Sequence, residues 1–307
     1  MGGVDVVDVI NYSNQFLPHV IRLYYPGEIK IDGRLDFFRQ TFALYQPSPQ
    51  QSCLLAKDSN GLLACAYMAS FEKIQPGLIY TSLAVDSKMG GQDFSEFWEQ
   101  CMALARTLAR GPIMLRVEVS GSHATKLLAE KGLTVAREQV ELHASLDQLS
   151  QDLHQGEEDF LVISLDQQPE LEALWLDIFN QGINALWDIP PLDSGCLDRM
   201  RQESVFNPDS FRVGYSGSEA VAAQFYSIVD KDEGVVRIYM SSSHSRAFGR
   251  RMLKETLNSL EQKGFSKAII YADAASQATN LLYKMLGFVP NGKSVLMECQ
   301  LPPSQPR

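Results

Sequence analysis

The chain has 307 residues, 45% of them hydrophobic and 21% charged, an ordinary balance for a globular protein, and no apolar run approaches the roughly 20 residues a membrane-spanning helix needs. Its 27 basic and 37 acidic residues give a formal charge of −10, which argues against binding nucleic acid or an anionic membrane; a polyanionic ligand would have to be held by backbone amides or a few placed cations. The five cysteines (Cys53, Cys65, Cys101, Cys196, Cys299) are odd in number and contain no C-x-x-C pair, so neither a disulfide framework nor a zinc site is expected, and no metal is called for.

The length is a soft prior for two domains of roughly 150 residues each. Val4 to Ile10 reads as a strand, since acids interrupt its apolar residues and no basic segment leads into it; it is not a signal peptide, and a cytoplasmic location is the expectation. Ser13 to Tyr24 reads as a helix with Ser13 as N-cap, and Leu35 to Leu44 as a second helix. Ser52 to Lys57 and Leu62 to Phe71 flank Asn60-Gly61, a strong hairpin signal. Cys53 and Cys65 could face each other across that hairpin, although buried free thiols are the plainer reading. A strand over Leu78 to Val85, a helix over Phe94 to Leu108, a strand over Ile113 to Val119 and a helix ending at Gly132 follow.

The polar, acidic run Asp147 to Asp159 is the natural boundary, and after it the same course repeats. Phe160 to Leu165 is a strand, Pro169 to Asn180 a helix opened by its proline, and Leu197 to Val205 a helix. Phe211 to Tyr215 and Ala220 to Val229 form a hairpin around Ser216-Gly217-Ser218. Val235 to Met240 is a strand, Gly249 to Gln262 a long helix, Lys267 to Tyr271 a strand, Ala275 to Leu286 a helix and Ser294 to Leu301 the last strand. The closest internal match joins His123-Ala124-Thr125-Lys126-Leu127-Leu128 to Ala278-Thr279-Asn280-Leu281-Leu282-Tyr283. Both helices carry a Leu pair or Leu-Tyr and end at Gly-apolar, Gly132-Leu133 and Gly287-Phe288, an offset of 288 minus 133, or 155 residues.

This element order, with Leu282-Tyr283 and Gly287-Phe288 and the loop His244-Ser245-Arg246-Ala247-Phe248-Gly249, resembles the GNAT acyl-CoA N-acyltransferase superfamily over nearly the whole chain. The resemblance implies an α/β fold, mixed α+β in character, in tandem duplication, each copy a mostly antiparallel central sheet flanked by helices. Residues 1–146 would be a degenerate N-terminal GNAT-like domain, 147–159 a linker, 160–301 the catalytic C-terminal domain and 302–307 a frayed tail. In the family a loop of Gln or Arg, two residues, Gly or Ala, one residue, Gly or Ala leads from the fourth strand into a long helix. Ala247 and Gly249 take the small positions here and His244 replaces the Gln or Arg.

Small residues at a helix start leave room for backbone N–H groups and the positive end of the dipole to meet a pyrophosphate, and Arg246, Arg250 and Arg251 add cations. The same three arginines could instead be a solvated first helical turn. Residues expected at the acyl-CoA are therefore Met240, Ser241, His244, Ser245, Arg246, Ala247, Phe248, Gly249, Arg250, Arg251, Ser276 and Tyr283. By resemblance, Tyr283 would protonate the leaving thiolate, a role open to a phenol that is protonated at neutral pH. Ser276 and Thr279 stand where the family has Asn and Ala, and Tyr283 could simply pack beside Phe288.

By the same resemblance, a backbone N–H where the fourth strand bulges and splays, near Met240 or Ser241, would supply the oxyanion donor. Asp273 is the first candidate for the base, with His244, Glu203 and Asp188 also open. Trp187 and Asp188 are candidate acceptor-binding residues in a loop that mixes Trp, Asn, Asp and Pro. In the first half, Leu128 stands at the tyrosine position and Asp93 brings negative charge to the matching helix start, so a working site there is not expected. The implied activity is transfer of an acetyl or other short acyl group from acetyl-CoA, or another acyl-CoA, to a small-molecule amine in a ternary complex. A noncatalytic acyl-CoA-binding or regulatory protein and an interaction scaffold are the alternatives.

Overall fold

The structure, a computed structural model, describes residues 7–27, 30–71, 75–148, 160–186, 192–242 and 245–302. It divides into two compact units: 1–38, 45–139 and 293–307 form the first, and 39–44 with 140–292 the second. The expected split into 1–146 and 160–301 is thus crossed by two strands. β6 (Thr134–Ser145) gives its start to the first unit and its end, from Val140, to the second; β12 (Val289–Leu301) does the reverse from Lys293 onward. The physical reason lies in the ladder: Ser294 to Leu301 pair antiparallel with Ser120 to Ile113, so the chain's last strand completes the first unit's sheet.

In the first unit, β1 (Asp8–Asn11), β2 (Cys53–Asp58), β3 (Gly61–Ser70) and β4 (Leu78–Val85) are antiparallel neighbours. β5 (Ile113–Ser120) lies parallel to β4 and antiparallel to β12. The helices α1 (Leu17–Tyr24), α2 (Leu35–Leu44), α3 (Pro49–Ser52), α4 (Gly91–Leu108) and α5 (Ser122–Glu130) complete this part of the chain. Apolar residues at helical spacing on α4 (Phe94, Phe97, Trp98, Cys101) and α5 (Leu127, Leu128) bury against Ala66, Leu83, Leu115, Val117 and Met297. The Cys53 and Cys65 thiols do meet, with sulfurs 3.6 Å apart, and both cysteines are free and fully buried. Burial, the hydrogen bond shared with Cys65 and the neighbouring thiols hold Cys53 well above its ordinary pKa, which leaves it an unreactive thiol.

The second unit repeats the plan. β7 (Phe160–Ser164), β8 (Phe211–Ser216), β9 (Glu219–Asp230) and β10 (Val235–Ser242) run antiparallel, β11 (Lys267–Asp273) pairs parallel with β10, and the end of β6 lies beside β11. Helix α6 (Glu172–Leu186) runs beyond the expected end at Asn180; α7 (Cys196–Gln202), α8 (Arg246–Gln262) and α9 (Gln277–Met285) follow. One core joins Val236 and Ile238, Ala268, Ile270 and Ala272, and Leu142 and Ala144 to α8 (Leu253, Leu257, Leu260) and to Tyr283 and Phe288. Strand residues alternate faces, so Arg237, Tyr239, Tyr271, Asp273, Glu141 and His143 lie on the other side of the sheet. Trp175 and Phe179 of α6 stack on each other and meet Phe225 edge-on and tilted, and Phe225 stacks on Tyr239 at 4.3 Å.

The last six residues of α2 belong to the second unit because Arg199 holds them. Its Nε donates to the Ala43 carbonyl at 2.8 Å, Nη2 donates to Leu44 at 2.9 Å, and its guanidinium pairs with both Asp193 oxygens. A cation at a helix C-terminus satisfies carbonyls the helix cannot. Three local expectations change. Ser13 precedes a short 3₁₀ turn over Asn14–Phe16 and makes no capping bond; α8 starts at Arg246 rather than Gly249; and the irregular step in β10 falls between Val235 and Val236, while Met240 and Ser241 pair regularly with Gln224 and Ala223. No register shift with β9 falls near Met240 or Ser241, while β10 has already parted from β11 there.

Candidate functional site

The repeated helix ends close in the same way. At the end of α5 the Leu133 N–H donates to the Leu128 carbonyl at 3.2 Å, and at the end of α9 the Phe288 N–H donates to the Tyr283 carbonyl at 3.0 Å. Gly132 and Gly287 hold φ of 84° and 89°, the left-handed conformation this helix end requires and glycine adopts freely. Leu128 and Tyr283 are therefore structural equivalents, both buried in their cores.

The sheets differ beside them. In the first unit the parallel pair β4 and β5 stays in register from Leu78↔Met114 to Leu83↔Val119. In the second unit β10 and β11 pair only over Val235↔Lys267, Val236↔Ala268 and Arg237↔Ile269. Beyond that point both strands continue, to Ser242 and Asp273, without further pairing among the described residues, so the sheet opens at its centre. The parallel register of these two strands therefore ends at Arg237 and Ile269, well before either strand does.

Helix α8 starts from the end of β10. Ser245 is its N-cap, its hydroxyl accepting the Phe248 N–H at 3.3 Å. The Gly249 N–H bonds to the Ser245 carbonyl, which leaves the Arg246 and Ala247 amides as the free donors every helix start has. Gly249 is buried, Ala247 and Arg250 are exposed and Arg251 is half-buried. Phe248 instead anchors the first turn, its ring stacked on Phe160 at 6.2 Å. An anion at this helix start would meet two amides and the exposed Arg250.

Tyr283 lies in the core on the α8 side of the opening, its ring 5.8 Å from Phe288, and its hydroxyl has no hydrogen-bond partner among the described residues. Burial raises its pKa above the ordinary tyrosine value, which keeps the phenol protonated. Ser276 precedes α9 and donates its hydroxyl proton to Thr279 Oγ1 at 2.8 Å. The Asp273 carboxylate accepts the Ala275 N–H at 2.8 Å, so it shapes the turn into α9, on the face opposite Tyr283. Glu203 ends α7. Trp187, Asp188 and His244 lie outside the described residues, as do the side chains of Met240, Ser241 and Arg246 and most of the expected linker and tail.

The strand periodicity concealed a polar cluster on that opposite face. The Glu141 carboxylate accepts the Tyr271 hydroxyl on one oxygen; on the other it meets His143 Nε2 at 2.6 Å and the Asn291 amide at 3.2 Å. Burial works to raise the pKa of Glu141, but the bonds from His143, Tyr271 and Asn291 outweigh it and bring it down to about 2. The Arg237 guanidinium lies over the rings of Tyr271 at 4.2 Å and Tyr239 at 4.7 Å. The available signal was polar residues at alternate positions in otherwise apolar strands: Glu141 and His143, Arg237 and Tyr239, Tyr271 and Asp273.

The first unit lacks the counterpart. Its β4 and β5 are zipped together, Leu128 fills the tyrosine position, and Asp93 occupies the first turn of α4. Across its closed strands, Tyr80 donates to Glu118 at 2.6 Å.

No family model matches the sequence, and no curated protein matches it. Solved structures do match the fold. A GCN5-related N-acetyltransferase from Sphaerobacter thermophilus superposes with a TM-score of 0.69 at 14% identity, over 97% of this chain and 96% of that one. A putative acetyltransferase from Pyrococcus horikoshii gives 0.64 at 12% identity, over 98% and 91%. A tandem GNAT protein from the clavulanic acid biosynthesis pathway gives 0.64 at 11% identity, over 98% and 100%. The fold is that of the GCN5-related N-acetyltransferases. Within it, this chain is similar to the tandem form, with two copies of the unit in one polypeptide. No helix of the described residues is long and apolar enough to cross a membrane, and no cluster among them could hold a metal ion.

Proposed function

We propose that the chain is a tandem member of the GNAT superfamily and transfers a short acyl group from acyl-CoA to the amine of a small molecule, with the second unit as the catalytic one. The observation that carries this reading is the opening between β10 and β11 past Arg237 and Ile269, set against the closed β4 and β5 pair of the first unit. An extended thioester arm fits a slot between strands that have parted, and among the described residues β10 and β11 part while β4 and β5 stay paired. The start of α8 supplies amides and cations for a pyrophosphate at one end of that slot.

The bound acyl-CoA supplies an activated carbonyl and a thiolate leaving group. Tyr283 gives the thiolate its proton: it is buried, protonated and without a competing hydrogen bond among the described residues. The aromatic face of Trp175, Phe225 and Tyr239 borders the acceptor side. Trp187, Asp188 and the side chains of Met240, Ser241, His244 and Arg246 remain part of the proposal on sequence grounds.

Isothermal titration with acetyl-CoA, followed by thiol release with a panel of primary amines, tests the reading. One site per chain is expected, weakened by R250E, with amine-dependent release. At acetyl-CoA 100 times above its Kd, unfolding should shift by about 2.7 kcal/mol. Absence of binding at millimolar acetyl-CoA refutes the assignment; binding without release for any amine leaves an acyl-CoA sensor.

A further inference from the structure

We infer that His143, held by Glu141, is the group that takes the proton from the attacking amine, a role the sequence pattern had directed to Asp273. The inference rests on the transferase reading above and assigns its missing base.

The geometry has three parts. First, His143 Nε2 stands 2.6 Å from Glu141 Oε1, so that nitrogen carries the proton and donates, while Nδ1 is left with a lone pair and no hydrogen-bond partner among the described residues. Second, Glu141 is itself fixed by Tyr271 from β11 and Asn291 from β12, so the imidazole has one tautomer and one orientation. This is the arrangement by which a carboxylate prepares a histidine as a base. Third, both residues sit on the face of the sheet opposite Tyr283, and Tyr271 links them to β11 just past its last pairing with β10, at Ile269. Acid and base on opposite faces of one opening suit a reaction in which thiol departs on one side and amine arrives on the other.

Asp273 is worse suited. Its carboxylate is engaged by the Ala275 N–H in the turn that starts α9. On the second unit's β6 end, β10 and β11, the described charged or titratable groups that share the His143 face include Glu141, Arg237, Tyr239, Lys267, Tyr271 and Asp273.

In the step proposed, the ammonium proton of the acceptor moves to Nδ1, the freed nitrogen lone pair forms the bond to the thioester carbonyl carbon, and the C–S bond breaks. The sulfur leaves with the Tyr283 proton, the tyrosine recovers a proton through solvent as the former ammonium nitrogen gives up its second one to become the amide, and the imidazolium discharges its own to solvent, so one proton is released per turnover. Charge and atoms balance without a further reactant.

The test uses the full chain with acetyl-CoA and the amine panel. H143Q should lower kcat at least 100-fold near pH 7, leave the acetyl-CoA Kd within twofold, and lose the acid limb of the wild-type kcat/KM profile, so that its rate climbs with pH as free amine becomes available. E141Q, which keeps the imidazole but loosens its tautomer, should fall about tenfold with acetyl-CoA affinity intact. D273N should keep wild-type kcat and pH profile. If H143Q turns over like the wild type with the same acid limb, the inference fails while the transferase reading stands. If D273N carries the loss instead, Asp273 is the base. If the wild type binds acetyl-CoA but transfers to no amine, the transferase reading fails and this assignment with it.

Discussion

The exchange of terminal strands makes a prediction that chain order would reverse. Met297 lies near the end of the second half, yet it is 1% exposed in the core of the first unit and pairs across the ladder with Val117. Phe288, nine residues earlier by number (297 minus 288), lies 1% exposed in the core of the second. Met→Ala in a filled core costs about 2 to 5 kcal/mol, the lost transfer energy plus the cavity left behind. A mid-range value of about 3 kcal/mol corresponds to roughly a 100-fold rise in the opening constant of the affected unit. Hydrogen exchange read by mass spectrometry should therefore show M297A stripping protection from α4, α5 and β3 to β5, with α8 and β11 changed little. F288A should do the opposite, at about 3 to 5 kcal/mol. If M297A instead exposes α8 and β11 and spares α4 and β5, the assignment of β12 to the first unit is wrong.

Three further outcomes follow from single contacts. Glu141 has a folded pKa near 2 against an ordinary 4.5, so its contribution is complete above pH 4.5 and is lost as pH falls toward 2; the wild type should lose on the order of 3 kcal/mol across that window, and E141Q should lose correspondingly less there, as read by urea unfolding at each pH. Y283F removes a buried hydroxyl that makes no hydrogen bond among the described residues, so its melting temperature should match or exceed the wild type while kcat falls about 100-fold at unchanged acetyl-CoA affinity; an unchanged kcat would remove the tyrosine from the chemistry. R199A strips two charge-assisted bonds from the Ala43 and Leu44 carbonyls and the ion pair from Asp193, which should cost about 2 kcal/mol in chemical denaturation; a cost near zero would mean solvent replaces the guanidinium there.

Much of the architecture was legible because it depends on local chemistry. Asn60-Gly61 announced the turn between β2 and β3, the 3.6-residue spacing of Phe94, Phe97, Trp98 and Cys101 announced α4, and Gly132 and Gly287 announced two helix ends that close alike. The start of α8 was misplaced by one turn because a run of arginines looks like a loop until Ser245 is seen to cap it. The stacking of Phe248 on Phe160 was not legible, because nothing near it in sequence points to that partner. Glu141 and His143 gave no signal of their own in the sequence: the group that reveals them, Tyr271, lies 130 positions from Glu141.

By itself the sequence determined which segments are helices and strands, that the pattern occurs twice, and that one copy has Tyr283 where the other has Leu128; each of these rests on side-chain periodicity or on a backbone conformation only certain residues accept. The tertiary structure alone decided that β12 completes the first unit, that β10 and β11 part while β4 and β5 do not, and that Glu141, His143 and Tyr271 meet on the face opposite Tyr283. Strand partners are chosen by nonlocal hydrogen bonding and by burial of a whole face. Neither is written in any short window of the chain.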